Sequence, residues 1–203
     1  VDTAAAGDAW RTVPTLRGAQ VTLVPLDALH ASPLRDVVRS SGLHRLWFTG
    51  VPAPGDVDGY IDRALADRQA GLALPFAVLD GAGEVVGSTH FYGLAPDVPN
   101  LKIGHSWLAP RVQRTGLNTE AELLLLGHAF EAMACVAVAF ETSWFNHASR
   151  AAIARLGAKQ DGVLRHHQRH SDGSLRDTVV FSLLAAEWPA ARAHLRFKLE
   201  SRS

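Results

Sequence analysis

The sequence predicts an α/β (α+β) domain built on one mixed, mostly antiparallel central sheet with flanking helices. Two apolar hairpin patterns lie at either end of the chain, each pair of runs joined by a glycine-containing turn. Between them the period changes from strand-like alternation over Leu101–Leu108 to helical spacing of Leu123, Leu126, Phe130 and Met133. Strands and helices mixed in this order bury their apolar faces against one sheet.

At 203 residues, 47% of them hydrophobic, the chain suits one domain with a substantial core. Its twenty basic and twenty acidic residues cancel, so no overall field favours nucleic acid or an anionic membrane. No apolar run approaches the roughly 18 to 20 residues that span a bilayer, and Val1–Thr15 lacks the apolar centre of a secretory signal. A cytoplasmic protein is therefore expected. Cys135 is the single cysteine, flanked by apolar Met133, Ala134, Val136 and Val138; it reads as a buried small hydrophobe.

Taken in order, residues 1–14 read as a flexible N-terminal arm. A strand follows over Val21–Pro25, then helices over Asp27–Ser41 and Val57–Ala70, separated by the glycine- and proline-rich Gly50–Gly55. Leu74–Leu79 and Val85–Tyr92 form a hairpin through Asp80-Gly81-Ala82-Gly83. After the Leu101–Leu108 strand and the helix beyond it, Val136–Thr142 reads as a buried strand and Asn146–Leu156 as a helix stopped by Gly157. Lys159–His170 and Leu175–Leu184 make a second hairpin. The tail is expected to be helical, with Ala190, Ala193 and Phe197 as its apolar stripe, packed on the body or on a second subunit in a homodimer.

The connection from Trp107 to Ala121 carries the strongest functional signal, because it joins strand to helix through a basic turn. Amides at a helix start lack internal partners and sit at the positive end of the helix dipole, which suits an anion such as phosphate. Gly116 lets backbone approach closely, and Arg111 and Arg114 add positive charge. The bland alternative is an ordinary connection with Asn118 or Thr119 as N-cap. Neither the Walker pattern nor the three-glycine dinucleotide fingerprint is present.

Gln113-Arg114-Thr115-Gly116-Leu117-Asn118 resembles the pyrophosphate loop of the GCN5-related N-acetyltransferases, Gln/Arg-x-x-Gly-x-Gly/Ala, departing from it at Asn118. Leu16-Arg17-Gly18, Val21–Leu26, Ile103–Leu108 and Asn146–Gly157 resemble the RimJ/RimL-type branch, so the resemblance covers residues 15–188, leaving 189–203 as a C-terminal helical tail. It implies a sheet splayed at the acyl-CoA site, acetyl-CoA as cosubstrate without a metal, and acyl transfer to an amine. The cofactor contacts it implies are Trp107 and Leu108 on the splayed strand, Gln113, Arg114, Thr115, Gly116, Leu117, Asn118 and Thr119 in the loop, then Asn146 along the arm and Arg150 at a phosphate.

Ser149 resembles a hydroxyl near the sulfur that donates a proton, while helix capping is the alternative for both Asn146 and Ser149. No carboxylate stands on Leu101–Leu108, so His105 is the candidate base, with His90 across the ladder; both also fit as hydrogen-bonded core histidines. Glu141 and His166–His170 are further candidates, although Glu141 also reads as a strand end in solvent. His166 and His170 on one strand face would lie about 13 Å apart, too far to share a metal.

Weak base equipment favours an acceptor that sheds its proton easily. An α-amine has a pKa of about 8 and lysine about 10.4, so at pH 7 roughly a tenth of the former and under a thousandth of the latter is neutral. The expectation is acetylation of a protein or peptide N-terminal α-amine by direct attack in a ternary complex. A small-molecule amine acetyltransferase, a non-catalytic acyl-CoA sensor and a nucleotide site on the same cradle are the alternatives.

Overall fold

The computed structural model describes residues 9–201. Among the described residues eight strands form one sheet: β1 (Leu16–Arg17), β2 (Val21–Pro25), β3 (Ala73–Asp80), β4 (Val85–Ala95), β5 (Asn100–Leu108), β6 (Ala137–Ser143), β7 (Lys159–Arg169) and β8 (Leu175–Leu184). Their order is β1-β2-β3-β4-β5-β6-β8-β7. Every neighbouring pair is antiparallel except β5 and β6. β3 is buried from Ala73 to Val78, as its unbroken apolar run requires, whereas the edge strand β7 is largely exposed and polar, which discourages pairing with other chains.

The helices that lie wholly among the described residues and flank the sheet are α1 (Ala31–Ser41), α2 (Val57–Gln69), α3 (Leu117–Gly127, continuing as a π turn over His128–Ala132), α4 (His147–Arg155) and α5 (Trp188–Glu200). The helix expected over Asp27–Ser41 is a 3-10 turn, Ala28–His30, running into α1. Asp27 caps that turn through its carboxylate to Leu29 N–H, and Gly42 ends α1 at φ 63. Strand alternation sorts the helices onto opposite faces. On β4, Ser88 and His90 meet Tyr60 of α2, while Phe91 stacks on His128 beyond α3.

The buried stripe of the C-terminal helix lies two positions before the expected one, on the opposite face. Ala190, Ala193 and Phe197 are exposed, Phe197 at 66%, and the buried face is Trp188, Ala191 and Leu195. Trp188 decides this: its indole stacks on Phe130 and donates to Glu131, fastening α5 to the π turn of this same chain. In the N-terminal segment, Val13 is buried in the core and Trp10 packs against it. Residues 1–8 of the expected arm lie outside the described residues. Among the described residues no helix is long and apolar enough to cross a membrane.

Candidate active site

The parallel pairing of β5 with β6 joins Asn100–Lys102 to Ala137–Ala139, while β5 runs on to Leu108 and β6 to Ser143. The strands therefore diverge beyond Lys102. On the other side β5 stays on β4, and Ala109 N–H donates to Val86 O at 2.7 Å. Antiparallel ladders alternate hydrogen-bonded and open pairs, so the Leu108–Gly87 pair is open and the Leu108 amide and carbonyl turn away from β4, into the gap. The Gln113 side chain donates to that carbonyl at 2.9 Å, which ties the strand end to the loop that follows.

That loop descends through a 3-10 turn, Pro110–Val112, into α3. Thr115 locks it, its hydroxyl donating to Val112 O at 2.6 Å and accepting from Leu117 N–H at 3.2 Å. The left-handed residue is Arg114, at φ 61, and not Asn118, which lies within the first turn of α3. Gly116 occupies the N-cap position in ordinary helical geometry, so the helix starts earlier than an Asn118 or Thr119 cap would place it. Its lack of a side chain matters for space, since a Cβ there would come within 2.9 Å of the Gln20 amide. Arg111 is turned out of the cradle onto Asp80 at 2.6 Å. With Gly116 as N-cap, Asn118 and Thr119 lie in the first turn of α3, ahead of the Glu120 N–H bond to the Gly116 carbonyl, at the helix start whose amides suit an anion.

Opposite Ser88–His90 the β5 strand carries one residue more than β4, and this bulge puts His105 at φ 53. The same bulge brings the His105 ring to 5.2 Å from that of His90, centroid to centroid, and to 4.9 Å from Tyr92. The two histidines are not equivalent. His90 is 6% exposed and bonds Tyr60 at 3.0 Å; burial, together with His105, pushes it down to about 3, so it is neutral. His105 is exposed at the bulge. Desolvation lowers its pKa from the ordinary histidine value, Asp67 opposing and Arg176 adding to the shift. Trp107 is buried against Tyr60, so its side chain fills the core.

At the far side of the gap, Asn146 caps α4 by accepting from Ser149 N–H at 3.1 Å. This fixes the backbone of Ser149 while its hydroxyl stays partly exposed. Arg150 lies over the Trp144 ring at 4.3 Å and donates to the Trp144 carbonyl. Glu141 does not end in solvent: it stands within β6, its side chain 10% exposed and bonded to Lys102 at 2.5 Å. A bulge puts His166 at φ 49 with its amide on Asp177, so the alternation that would align it with His170 fails. His170 is buried instead beside Trp47 and Ser143. Cys135 is 2% exposed, and burial pushes its thiol up to about 12. Among the described residues, no three or more His, Cys, Asp or Glu side chains are grouped to hold a metal ion.

Sequence reading missed Tyr60 and Ser88, which hold His90, as well as Lys102, Arg176 and the buried Glu122. Only Glu122 left a local signal, a charge in the middle of the apolar face formed by Ala121, Leu125 and Ala129. A cleft of about 560 Å³, lined by Thr49, Pro52, Asp56, Arg63 and Ser171 among others, shares no lining residue with the candidate cofactor, acid and base set.

A sheet with one parallel pair that splays beside a strand-to-helix anion cradle defines an acyl-CoA-dependent transferase. Residues 20–159 match the model of the acetyltransferase (GNAT) domain, and the chain belongs to that family. It is 26% identical over 169 residues to YdaF of Bacillus subtilis (strain 168), whose proposed role is ribosomal N-acetylation; the match covers 82% of this chain and 90% of that one. A GCN5-related N-acetyltransferase from Brucella melitensis superposes with a TM-score of 0.83 at 27% identity, covering 93% of this chain and 86% of that one. RimJ of Mycobacterium smegmatis, solved in complex with CoA-disulfide, shares the fold with a TM-score of 0.76 at 24% identity, over 96% and 97% of the two chains. The likeness to RimJ is one of fold, and the protein is an acyltransferase of a family that uses acetyl-CoA.

Proposed function

We propose that this acetyltransferase moves an acetyl group from acetyl-CoA to a primary α-amine, with a protein or peptide N terminus as acceptor, by direct attack in a ternary complex. The observation that carries the reading is the Leu108 amide, turned into the β5–β6 gap a few residues before the α3 cradle. In this reading the loop from Gln113 to Thr119 holds the diphosphate, chiefly at the Asn118 and Thr119 amides because those of Gln113 and Leu117 are bonded within the loop, and Asn146 borders the pantetheine arm. Trp107 contributes backbone and core packing, and Arg150 reaches a phosphate only by leaving Trp144.

When bound, acetyl-CoA supplies the acyl group and a sulfur leaving group. Leu108 N–H is a donor fixed before reaction, and such a donor stabilises charge developing on an acyl oxygen. His105, neutral near pH 7 because desolvation disfavours its charged form, takes the proton that the acceptor nitrogen gives up. The Ser149 hydroxyl gives its proton to the departing sulfur and is reprotonated from solvent, to which His105 releases the proton it took; the Ser149 backbone is held by the Asn146 cap. A histidine base below its ordinary pKa is poorly matched to a lysine ammonium and adequate for an α-amine, a tenth of which is already neutral at pH 7.

The test is incubation with acetyl-CoA and a mixed library of peptides and small amines, read by free thiol release and intact mass. The proposed role of YdaF puts peptides with ribosomal-protein N termini first in that library. Acetylation at peptide α-amines is expected. Modification of small amines alone would replace the acceptor class, and cofactor binding without release over any acceptor would overturn catalysis in favour of a sensor.

A further inference from the structure

Glu122 lies one turn beyond Asn118 on α3, 7% exposed, and its Oε2 is buried with no hydrogen-bond partner among the described residues. Burial pushes the carboxyl up to about 7 against the opposing pull of Arg155, so near neutral pH a large share of it carries a proton and is a donor. It borders a chamber of about 10 Å³ between α3 and the sheet, which Asn118, Thr89, Ser106 and Leu108 also line. Thr89 and Ser106 are joined hydroxyl to hydroxyl at 2.7 Å, and Ser106 also reaches the Gly104 carbonyl at 3.4 Å.

Size and chemistry select the occupant. About 10 to 15 Å³ of probe-occupied volume is what one water needs, and a buried water is stable where two to four polar groups receive it. This wall offers a carboxyl, two hydroxyls and a side-chain amide. A second carboxylate or a polyatomic anion is excluded by size. An unpartnered buried carboxyl is costly, and a bridging water satisfies it nearly as well as a direct bond.

We propose that the chamber is a binding site for a single water held between Glu122 and the Thr89–Ser106 pair, and that Glu122 is thereby a positioning residue for the bulge carrying His105. The water site stands on geometry alone; only the positioning role rests on the acetyltransferase reading. Ser106 is next to His105, and its hydroxyl faces α3 while His105 faces α2, so a bridge from Glu122 to Ser106 pins the bulge from behind. Without it, the extra residue in β5 is held by the β4 ladder on either side of the irregularity, the Thr89–Ser106 pair and the His105 ring contacts.

The experiment is a high-resolution crystal structure of the wild type, Glu122→Gln and Glu122→Leu, with kcat and KM for acetyl-CoA measured on each. One ordered water within hydrogen-bond distance of Glu122 and of Thr89 or Ser106 is expected in the wild type, retained with Gln and expelled by Leu. The Leu variant should lose about tenfold in kcat through misplacement of the bulge, with KM for acetyl-CoA within about twofold, and Gln should restore kcat. Should the Leu variant fail to fold, Thr89→Val keeps the carboxyl and removes one hydroxyl, and is expected to lower both water occupancy and kcat. A dry chamber in the wild type overturns the water site, and an undisturbed kcat with the water expelled overturns the positioning role. A protein that transfers no acetyl group to any amine sinks the catalytic reading while leaving the density to decide the water site.

Discussion

The Tyr60 hydroxyl is the acceptor for His90. It donates its own proton to Ser88 Oγ at 2.9 Å, and Ser88 in turn donates to the Phe76 carbonyl at 2.9 Å, so the 3.0 Å contact with His90 Nε2 requires the proton to be on the histidine. The chain fixes one tautomer of a buried neutral imidazole directly beside the His105 ring. Replacing Tyr60 by Phe leaves the His90 N–H unpaired and is expected to cost about 1–3 kcal/mol in urea unfolding. A change below half a kcal/mol would mean that His90 finds another partner.

Glu122 makes stability fall as pH rises. Its folded pKa of about 7 lies above the ordinary 4.5, so the folded state binds the extra proton: this contribution is complete below pH 4.5 and is lost as pH climbs through 7. Glu122→Gln removes that dependence. The variant should gain on the wild type by up to roughly 3 kcal/mol between pH 4.5 and pH 8, measured by denaturant unfolding at each pH. Parallel curves across that window would show the carboxyl ionising freely.

Gly116 should be intolerant in proportion to side-chain size. Alanine meets the end of the flexible Gln20 side chain, which can swing aside, whereas valine also crowds the first amides of α3. Calorimetry is expected to show CoA affinity reduced a few-fold by Gly116→Ala and about 100-fold by Gly116→Val, the larger loss matching several backbone hydrogen bonds to phosphate. Equal affinity in the valine variant and the wild type would remove the diphosphate from this loop.

Asn146 and Ser149 share one hydrogen bond and should nonetheless separate in kinetics. Asn146→Ala uncaps α4 and is expected to lower stability by about 1 kcal/mol. Ser149→Ala keeps the cap, because Asn146 bonds the backbone N–H and not the hydroxyl, so stability should hold while kcat falls. If Ser149→Ala turns over normally, water supplies the proton instead.

Much of the fold is legible because its punctuation is local. Pro25 ends β2, Gly157 at φ 96 stops the chain after α4, and the glycine turns join both hairpins, each visible in a few adjacent residues. The strand-to-helix connection over Trp107–Ala121 is legible for the same reason. The bulge at His105 was not, since it depends on the register of β4 against β5, and neither strand alone encodes it. Arg111 looked like a cradle cation until the β3–β4 turn brought Asp80 to it, and Trp188 chose the buried stripe of α5 through a residue 57 positions away. Non-local partners decide which of two equally good local readings is realised.

The pH profile isolates His105. As a base it must be neutral, so kcat/KM should fall once pH drops through its pKa, which desolvation holds below the ordinary 6.5. The acceptor α-amine adds a second limb near pH 8. Wild-type log kcat/KM should therefore rise with a slope of two at the acid end, easing to one above the His105 pKa and levelling beyond that of the amine. His105→Asn is the informative variant, because asparagine tolerates the left-handed backbone at φ 53 and leaves the bulge intact. It should lower kcat by about 100-fold and leave the amine limb alone, with a slope of one throughout. A variant that keeps both limbs and near-normal kcat would assign the proton to solvent and make His105 a residue of bulge geometry only.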